Sequence, residues 1–542
     1  MASGGSLEKN SDSEAAVRRF GRRSEKMDKI VQGLVDANEH VNALVWGAPM
    51  LVLIISTGIY MTVRTGFFQV TRLKDWLGQT LFAIFKRKGV RTSSDHKAIS
   101  QFQALATSMA ATIGTGNIAG VATAITIGGP GAIFWMWVSA FFGMMTDFSE
   151  NVLGIFYRRR NEEGEWSGGA MYYLRDGLKG KKFIGKLAKP LSYAFAAFCV
   201  LASFGIGNMT QINNIATSLK NAFEPAFGFQ IPPHITGIVL CVIVGMVVIG
   251  GIQRIGKVTE KLVPLMALMY ILGTLVIFLM NYEKIPAVFG SIFKGAFGLT
   301  PITGGISGAL IKNAVSMGFK RGVFSNEAGL GSSVMVNCAS DVKEPVVEGM
   351  WGICGVFIDT MIVCTLTAFS ILSTGVVDLD TGKVLTDLEG TQLVTYAFSS
   401  TIHGGAGIFV AVATLFFAFS TVIGWSFYGT KSVEYLFGTK GIYVYKVLFV
   451  SFIFIGATMK LELAWSIADT LNGLMAIPNL IGVICLSSTV IAITKNYLAR
   501  RNKSSRLKPR PMLSAFEEIQ REQERCTAQD DIGCEEEQFF KK

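Results

Sequence analysis

Apolar residues in this chain come in long runs separated by short polar segments. The first run, Val41 to Thr62 with LVWGAPMLVLIISTGIYM at its heart, is long enough at about 1.5 Å per residue to cross a hydrocarbon layer of about 30 Å. Residues 69–86 (QVTRLKDWLGQTLFAIFK) are apolar on one side only, which predicts an interfacial amphipathic helix. Ten further spans are predicted near 100–126, 129–157, 191–218, 235–252, 257–282, 305–336, 345–373, 405–430, 442–459 and 462–495. Several carry Gly or Pro inside, which a membrane helix tolerates where neighbouring helices or a water-filled cavity satisfy the backbone.

Composition agrees with this pattern. Half of the 542 residues are apolar and 16% are charged, against about 25% charged in soluble domains, and the mean hydropathy is +0.43. A soluble enzyme, a disordered chain and a coiled coil are excluded. The net charge of +11 would suggest nucleic acid if the basic residues made one patch, but they fall between spans, so no nucleic-acid partner is expected. Segment 158–190 holds nine Lys and Arg and 63–99 holds eight, whereas 219–234 holds one, 283–304 two and 374–404 one. Because cytoplasmic loops carry the excess, this alternation predicts eleven spans in a cytoplasmic membrane, with the C-terminus inside and the N-terminus outside. The seven basic residues of 1–41 oppose that sidedness, and the internal loops outvote them. Residues 1–41 hold no apolar stretch that would serve as a signal peptide. The eight cysteines lack a CxxC pair and read as small core residues. His40, His96, His234 and His403 are isolated in polar segments, so no metal or haem site is expected.

Two of the spans match each other. The span 100–126 contains GTGNIAG (Gly114 to Gly120), and 305–336 contains GVFSNEAG (Gly322 to Gly329). Both share Asn-x-Ala-Gly behind glycine and hydroxyl residues. After the extra helix 42–63, they are the first and sixth of ten spans, hence corresponding members of two five-helix halves, 100–282 and 305–496. Five is odd, so the second half starts from the other side of the membrane and the repeat is inverted. Unwinding at Gly114–Gly116 and near Gly322–Asn326 would free backbone groups where lipid cannot satisfy them. The helix restarting near Asn117 offers amides and a positive dipole end to a carboxylate, and unwound carbonyls suit a cation. Close helix packing through small residues is the competing explanation of these glycines, but it does not account for Asn117 and Asn326 at equivalent places. GTGNIA also fits the permissive dinucleotide pattern, though no strand precedes it.

GTGNIAGVATAITIGGPGAIFWMW (114–137), RGVFSNEAGLGS (321–332) and STVIGWSFYG (420–429) resemble the family of sodium-coupled alanine or glycine symporters over about 42–496. The resemblance implies an all-α polytopic membrane protein similar in architecture to the leucine-transporter fold, a 5+5 inverted repeat with one extra N-terminal helix. It does not extend to the polar tail 1–41 or the charged tail 497–542, and the latter reads as solvated linker. In GNMTQINN (207–214), Gln211 and Asn214 share a helix face, and the resemblance implies that Gln211 contacts substrate. Thr421 and Trp425 are four apart on the eighth core helix, where the Trp would limit substrate to something small. Hydroxyls of Ser420 and Thr421, facing carbonyls of the first broken helix near Gly114 and Asn117, would form an oxygen cage for sodium, similar to that of the wider fold. Bonding of these hydroxyls to their own helix is the alternative. Phe324 reads as a pocket wall by resemblance.

Asp147, Glu150, Glu260, Lys312, Glu327, Asp359 and Asp469 lie in or near spans, where charge is expensive. The reading that follows is a sodium-coupled importer of a small neutral amino acid, without cofactor, working by alternating access. Segment Asn117–Gly120, with Gly116, would take the carboxylate, Phe324–Asn326 the ammonium, and Gln211 would orient the zwitterion beside Thr421 and Trp425. Proton coupling through Asp359 or Glu327 is the alternative within the same fold. An ion channel lacks support from the paired broken helices, and no histidine lies in a span to serve an intramembrane enzyme.

Overall fold

The apolar runs form helices that pack around one another, with their polar residues turned inward. The computed structural model describes residues 33, 35–298, 306–402, 404–459, 462–501 and 509–526. The principal helices are α1 (Val35–Arg64), α2 (Gln101–Thr112), α3 (Gly116–Gly128), α4 (Gly131–Tyr157), α5 (Gly185–Glu224), α6 (Pro233–Ile249), α7 (Gly251–Met280), α8 (Ile306–Asn326), α9 (Pro345–Ser373), α10 (Ala406–Phe437), α11 (Thr439–Thr458), α12 (Glu462–Cys485) and α13 (Ser487–Arg501). Helices α2 and α3 are one span bent by 53°. With that pair counted once, α2 to α7 give five helical rods, and α8 to α12 give five more.

Among the described residues, eight helices are long and apolar enough to cross a membrane, or nine with the bent pair. The two remaining expected spans are present in shorter form. Pro233–Ile249 is apolar but has only 17 residues, and Ile306–Asn326 ends at the second break.

Helix α4 runs through the centre and is buried along most of its length, from Ala140 and Met145 to Phe148, Val152 and Leu153. Helices α8 and α9 pack along it, and α1 lies against its outer side. The outward faces of α6, α7 and α11 are apolar instead, with Val242, Met246, Leu265, Leu268, Leu272 and Val447 exposed. An outer face this apolar is the inverse of a soluble domain and is what a lipid solvent requires, while the interior combines an apolar core with the buried polar residues of the spans.

Four local expectations change. The interfacial segment 69–86 is three short helices, Phe68–Thr71, Leu73–Gln79 and Leu81–Lys86, and Phe68, Gln69, Trp76 and Thr80 are buried against the bundle. The last span, 462–495, is divided between α12 and α13. Helix α1 reaches back beyond 42, because Asn38 donates to Ser466 Oγ (2.7 Å) and Asn42 to Thr470 Oγ1 (2.9 Å); residues 1–32 and His403 lie outside the described residues.

The C-terminal tail is not wholly a solvated linker. Residues 509–526 pack on the end of α4: Ala515 N donates to Phe156 O (2.9 Å), and Phe516 lies under the Arg159 guanidinium. Arg160 bridges Glu522 (2.8 Å) and Asp95 (3.0 Å). Gln520 accepts from the amides of Leu513 and Ser514 and closes the turn that lets Leu513 become buried.

Candidate functional site

Helix α2 ends at Thr112 and α3 begins at Gly116, and Ile113 and Gly114 leave helical structure at the first break while Thr115 already has helical backbone. Asn117 holds it: its Oδ1 accepts from Gly114 N (2.9 Å), and its own N–H donates to Gly114 O (3.2 Å). A Cβ at Gly114 would lie 2.5 Å from Thr421 Oγ1, so only glycine lets the chain run this close to α10. Thr115 Oγ1 donates to Gln211 Oε1 (3.1 Å), and Gln211 Nε2 donates to Ile206 O (3.1 Å) in the wide turn Gly205–Met209 of α5.

The second break lies later than its motif suggests. Helix α8 continues past Gly322 and Phe324 to Asn326, and the chain unwinds over 327–333 before the short helix Val334–Asn337. Gly322 is a packing glycine, where a Cβ would meet Ser139 Oγ at 3.0 Å, so the small-residue explanation is the right one at that position. The reversal is made by Glu327 (φ +57°), Gly329 (φ +95°) and Gly331 (φ +72°). Left-handed backbone is unremarkable for glycine but uncommon for glutamate, and local hydrogen bonds offset its cost. Asn326 Oδ1 accepts from Ala328 N (3.0 Å), Ser332 Oγ donates to Glu327 Oε2 (2.5 Å), and Trp425 Nε1 donates to Glu327 Oε1 (3.0 Å).

Asp359 joins the two breaks. It lies in a wide helical turn of α9, Phe357–Cys364, and is buried. Its Oδ1 accepts from Asn117 Nδ2 (2.7 Å); its Oδ2 accepts from Ser325 Oγ (2.6 Å) and Thr360 Oγ1 (2.8 Å). Asn117 Nδ2 also reaches Ser325 Oγ (3.0 Å), and Asn326 Nδ2 donates to Thr360 Oγ1 (3.1 Å). Every partner is a neutral side chain of a broken or widened helix. The carboxylate is thereby solvated by protein dipoles rather than by an ion pair.

Beside this junction is a cavity of about 20 Å³. Of the residues singled out from the sequence, Gly114, Gly116, Gln211, Phe324, Thr421 and Trp425 line it. Asn117, Gly120, Asn326 and Ser420 do not: Asn117 and Asn326 face the Asp359 junction, and Gly120 lies near Arg321. Ser420 and Thr421 both donate to Phe417 O, at 2.8 and 2.9 Å. These are bonds within their own helix, yet donation leaves the hydroxyl lone pairs available to a cation. The cavity has walls that sequence reasoning did not assign, among them Glu327 and Asn472. Asn472 is buried on α12, and its Oδ1 has no hydrogen-bond partner. Its sequence context, ADTLNGLMAIP, carries no signal beyond a lone amide in an apolar run.

A model of the sodium:alanine symporter family matches residues 31–510. The chain belongs to the sodium:alanine symporter family. It is 48% identical over 457 residues to the sodium/alanine symporter AgcS of Methanococcus maripaludis, covering 84% of this chain and 96% of that one. It is 37% identical over 470 residues (85% and 91%) to a Bacillus subtilis protein described as probable sodium/glutamine symporter GlnT. A third relative, 34% identical over 487 residues (88% and 94%), is the putative sodium/proton-dependent alanine carrier protein YrbD of Bacillus subtilis. Among solved structures, MhsT in complex with L-phenylalanine is similar over 74% of this chain and 99% of its own, with 13% identity and a TM-score of 0.49. The chain is therefore a multi-pass membrane transporter of the sodium-coupled amino-acid symporter type and not an enzyme.

Proposed function

We propose that the protein imports a small neutral amino acid, alanine or glycine, with sodium, by alternating access. The observation that carries this reading is the pair of opposed helix ends at one buried cavity. Helix α3 begins there with Gly116, and the last turn of α8 reaches it through Phe324, with Glu327 following the helix end at Asn326. A helix start presents amides and positive potential, whereas a helix end presents carbonyls and negative potential. A zwitterion fits between them, carboxylate toward Gly114–Gly116 and ammonium toward Phe324–Asn326 and the Glu327 carboxylate. Gln211 orients it, and Trp425 with Phe324 limits its side chain. Asn117 holds the carboxylate end in shape and ties it to Asp359.

Sodium is held by oxygens of the first break and of Ser420 and Thr421, a hard-donor set suited to an alkali cation. Because the cation orders the broken backbone, it tightens amino-acid binding, and by linkage the amino acid tightens cation binding by the same factor. The cavity is smaller than alanine, so substrate is admitted when α2–α3 and α8 move relative to α10, first toward one side and then toward the other. The basic segment 158–190 and the docked tail mark the cytoplasmic side.

The test is uptake of labelled alanine and glycine into proteoliposomes under an inward sodium gradient, with matched potassium and proton gradients. Concentrative uptake driven by sodium is expected. Uptake driven by protons alone overturns the sodium assignment and moves coupling to Asp359 or Glu327, and absence of uptake under every gradient overturns the substrate class.

A further inference from the structure

Two buried acids take no part in the amino-acid site. Asp147 and Glu150 lie three apart on α4, and both are buried in the middle of the bundle. Asp147 Oδ1 accepts from Ser333 Oγ (3.0 Å) and Oδ2 from Asn151 Nδ2 (3.0 Å). Glu150 Oε1 accepts from the Asn479 amide, and its Oε2 has no hydrogen-bond partner. The ionisable groups that act on Glu150 are Asp147 and Glu327, both acidic. Carboxylates buried at membrane depth without a counter-charge are costly, and neutral amides and hydroxyls do not cancel their charge.

Asp147 also lines a second cavity of about 20 Å³, behind the second break. The other polar walls are Ser108 and Thr112 of α2, Asn326, Ser333 and Asn337. Gly352 of α9 completes it: a Cβ there would lie 2.3 Å from Asp147 Oδ2 and 2.4 Å from Asn151 Nδ2. Among the described residues no basic side chain lines this cavity. One carboxylate, three hydroxyls and two amides around a space that holds roughly one water form a donor set for a dehydrated alkali cation. Water would fill the space but leave the carboxylate uncompensated.

We propose that this cavity is a second sodium site, distinct from the cation position beside Ser420 and Thr421. The inference rests on the sodium-coupled reading above. Sodium here links α2 and α4 to both ends of the second break, Asn326 before it and Ser333 after it. The same break presents Glu327 to the amino-acid cavity, which shares Thr112 with this one. Occupancy therefore fixes the turned-back chain that forms one wall of the amino-acid site, and two sodium ions move with each amino acid.

The test uses the full chain in proteoliposomes, with radiolabelled sodium and alanine counted together. The wild-type protein is expected to move about two sodium ions per alanine, with a sodium Hill coefficient near the same value, because both sites are linked to substrate. Asp147→Asn keeps the shape and removes the charge, and is expected to lower the ratio to about one. Asn337→Ala removes a cavity wall without touching the carboxylate, and is expected to raise the sodium concentration for half-maximal uptake about tenfold, by analogy with loss of a ligand-supporting group. This second variant keeps the inference testable if Asp147→Asn does not fold. A wild-type ratio of one, or an unchanged ratio in Asp147→Asn, overturns the second site and leaves the symport reading standing. So does a variant whose pH dependence shifts while its sodium ratio stays, because the cavity then holds a proton or water. Failure of the symport reading is recognisable separately, as wild-type uptake that ignores sodium.

Discussion

The two broken helices share Asn-x-Ala-Gly, yet the chain breaks on opposite sides of that asparagine. In the first, unwinding precedes Asn117 and a helix starts beside it; in the second, a helix ends at Asn326 and unwinding follows. The first break is two residues, Ile113 and Gly114, closed by one amide side chain. The second is seven residues with a left-handed glutamate and two left-handed glycines. Equivalent sequence thus yields complementary electrostatics, amides from one half and carbonyls with a carboxylate from the other. An inverted repeat built this way can grip both ends of a zwitterion without a formal ion pair from lysine or arginine.

This contrast can be broken most severely where the halves meet. Asp359→Ala removes the acceptor shared by Asn117, Ser325 and Thr360 and leaves buried donors unpaired, each at a cost of about 1–3 kcal/mol. Sodium-driven uptake is expected to vanish and the melting temperature to fall; normal uptake would show that the junction is not needed. Asn117→Ala attacks the first break alone. It removes the bond to Gly114 N and the one to Asp359, with an expected loss of about 1–3 kcal/mol for the donor left unmet and of tenfold or more in uptake. Asn326→Ala, the matched change in the second break, is expected to cost less, because Glu327, Ser332 and Trp425 still hold the turn. Equal effects of the two alanines would contradict the asymmetry.

Gly114→Ala places a methyl group against Thr421 Oγ1, an overpacking of about 1–3 kcal/mol. Combining it with Thr421→Ala is expected to restore folding, read by thermal melting, without restoring sodium dependence. The smallest expected effect is remote from both breaks. Burial would raise the pKa of Asp341, but hydrogen bonds from Ser93, Ser94 and the Asp95 amide outweigh it and hold the carboxyl below its ordinary value. A depressed carboxyl stabilises the fold above its unfolded pKa of about 3.9, and that contribution is lost as pH falls through the lower folded value. Asp341→Asn is expected to flatten the acid limb of a melting curve by a small amount and to leave transport at neutral pH unchanged.

Much of this molecule was legible in one dimension. Runs of apolar residues long enough to cross lipid located most of the helices and their order, because a membrane leaves no alternative way to satisfy a backbone. The shared Asn-x-Ala-Gly marked both breaks; helical spacing put Thr421 and Trp425 on one face and the family resemblance pointed to Gln211, and all three line one cavity. What the sequence did not contain was direction. Gly114 and Gly322 stand alike in their motifs, but one unwinds the chain and the other lets α8 press against Ser139. Only packing against α4 and α10 distinguishes them, since a glycine permits both outcomes. The charged tail read as solvent-exposed because its composition is polar, and its docking rests on Ala515, Phe516 and Glu522 meeting partners more than 350 residues away. Asp359 likewise had no visible partner until α9, α3 and the end of α8 came together. The sequence determined which segments enter the membrane and where they are weak; the tertiary structure decided which buried polar groups face each other, because such pairing depends on distance in space and not along the chain.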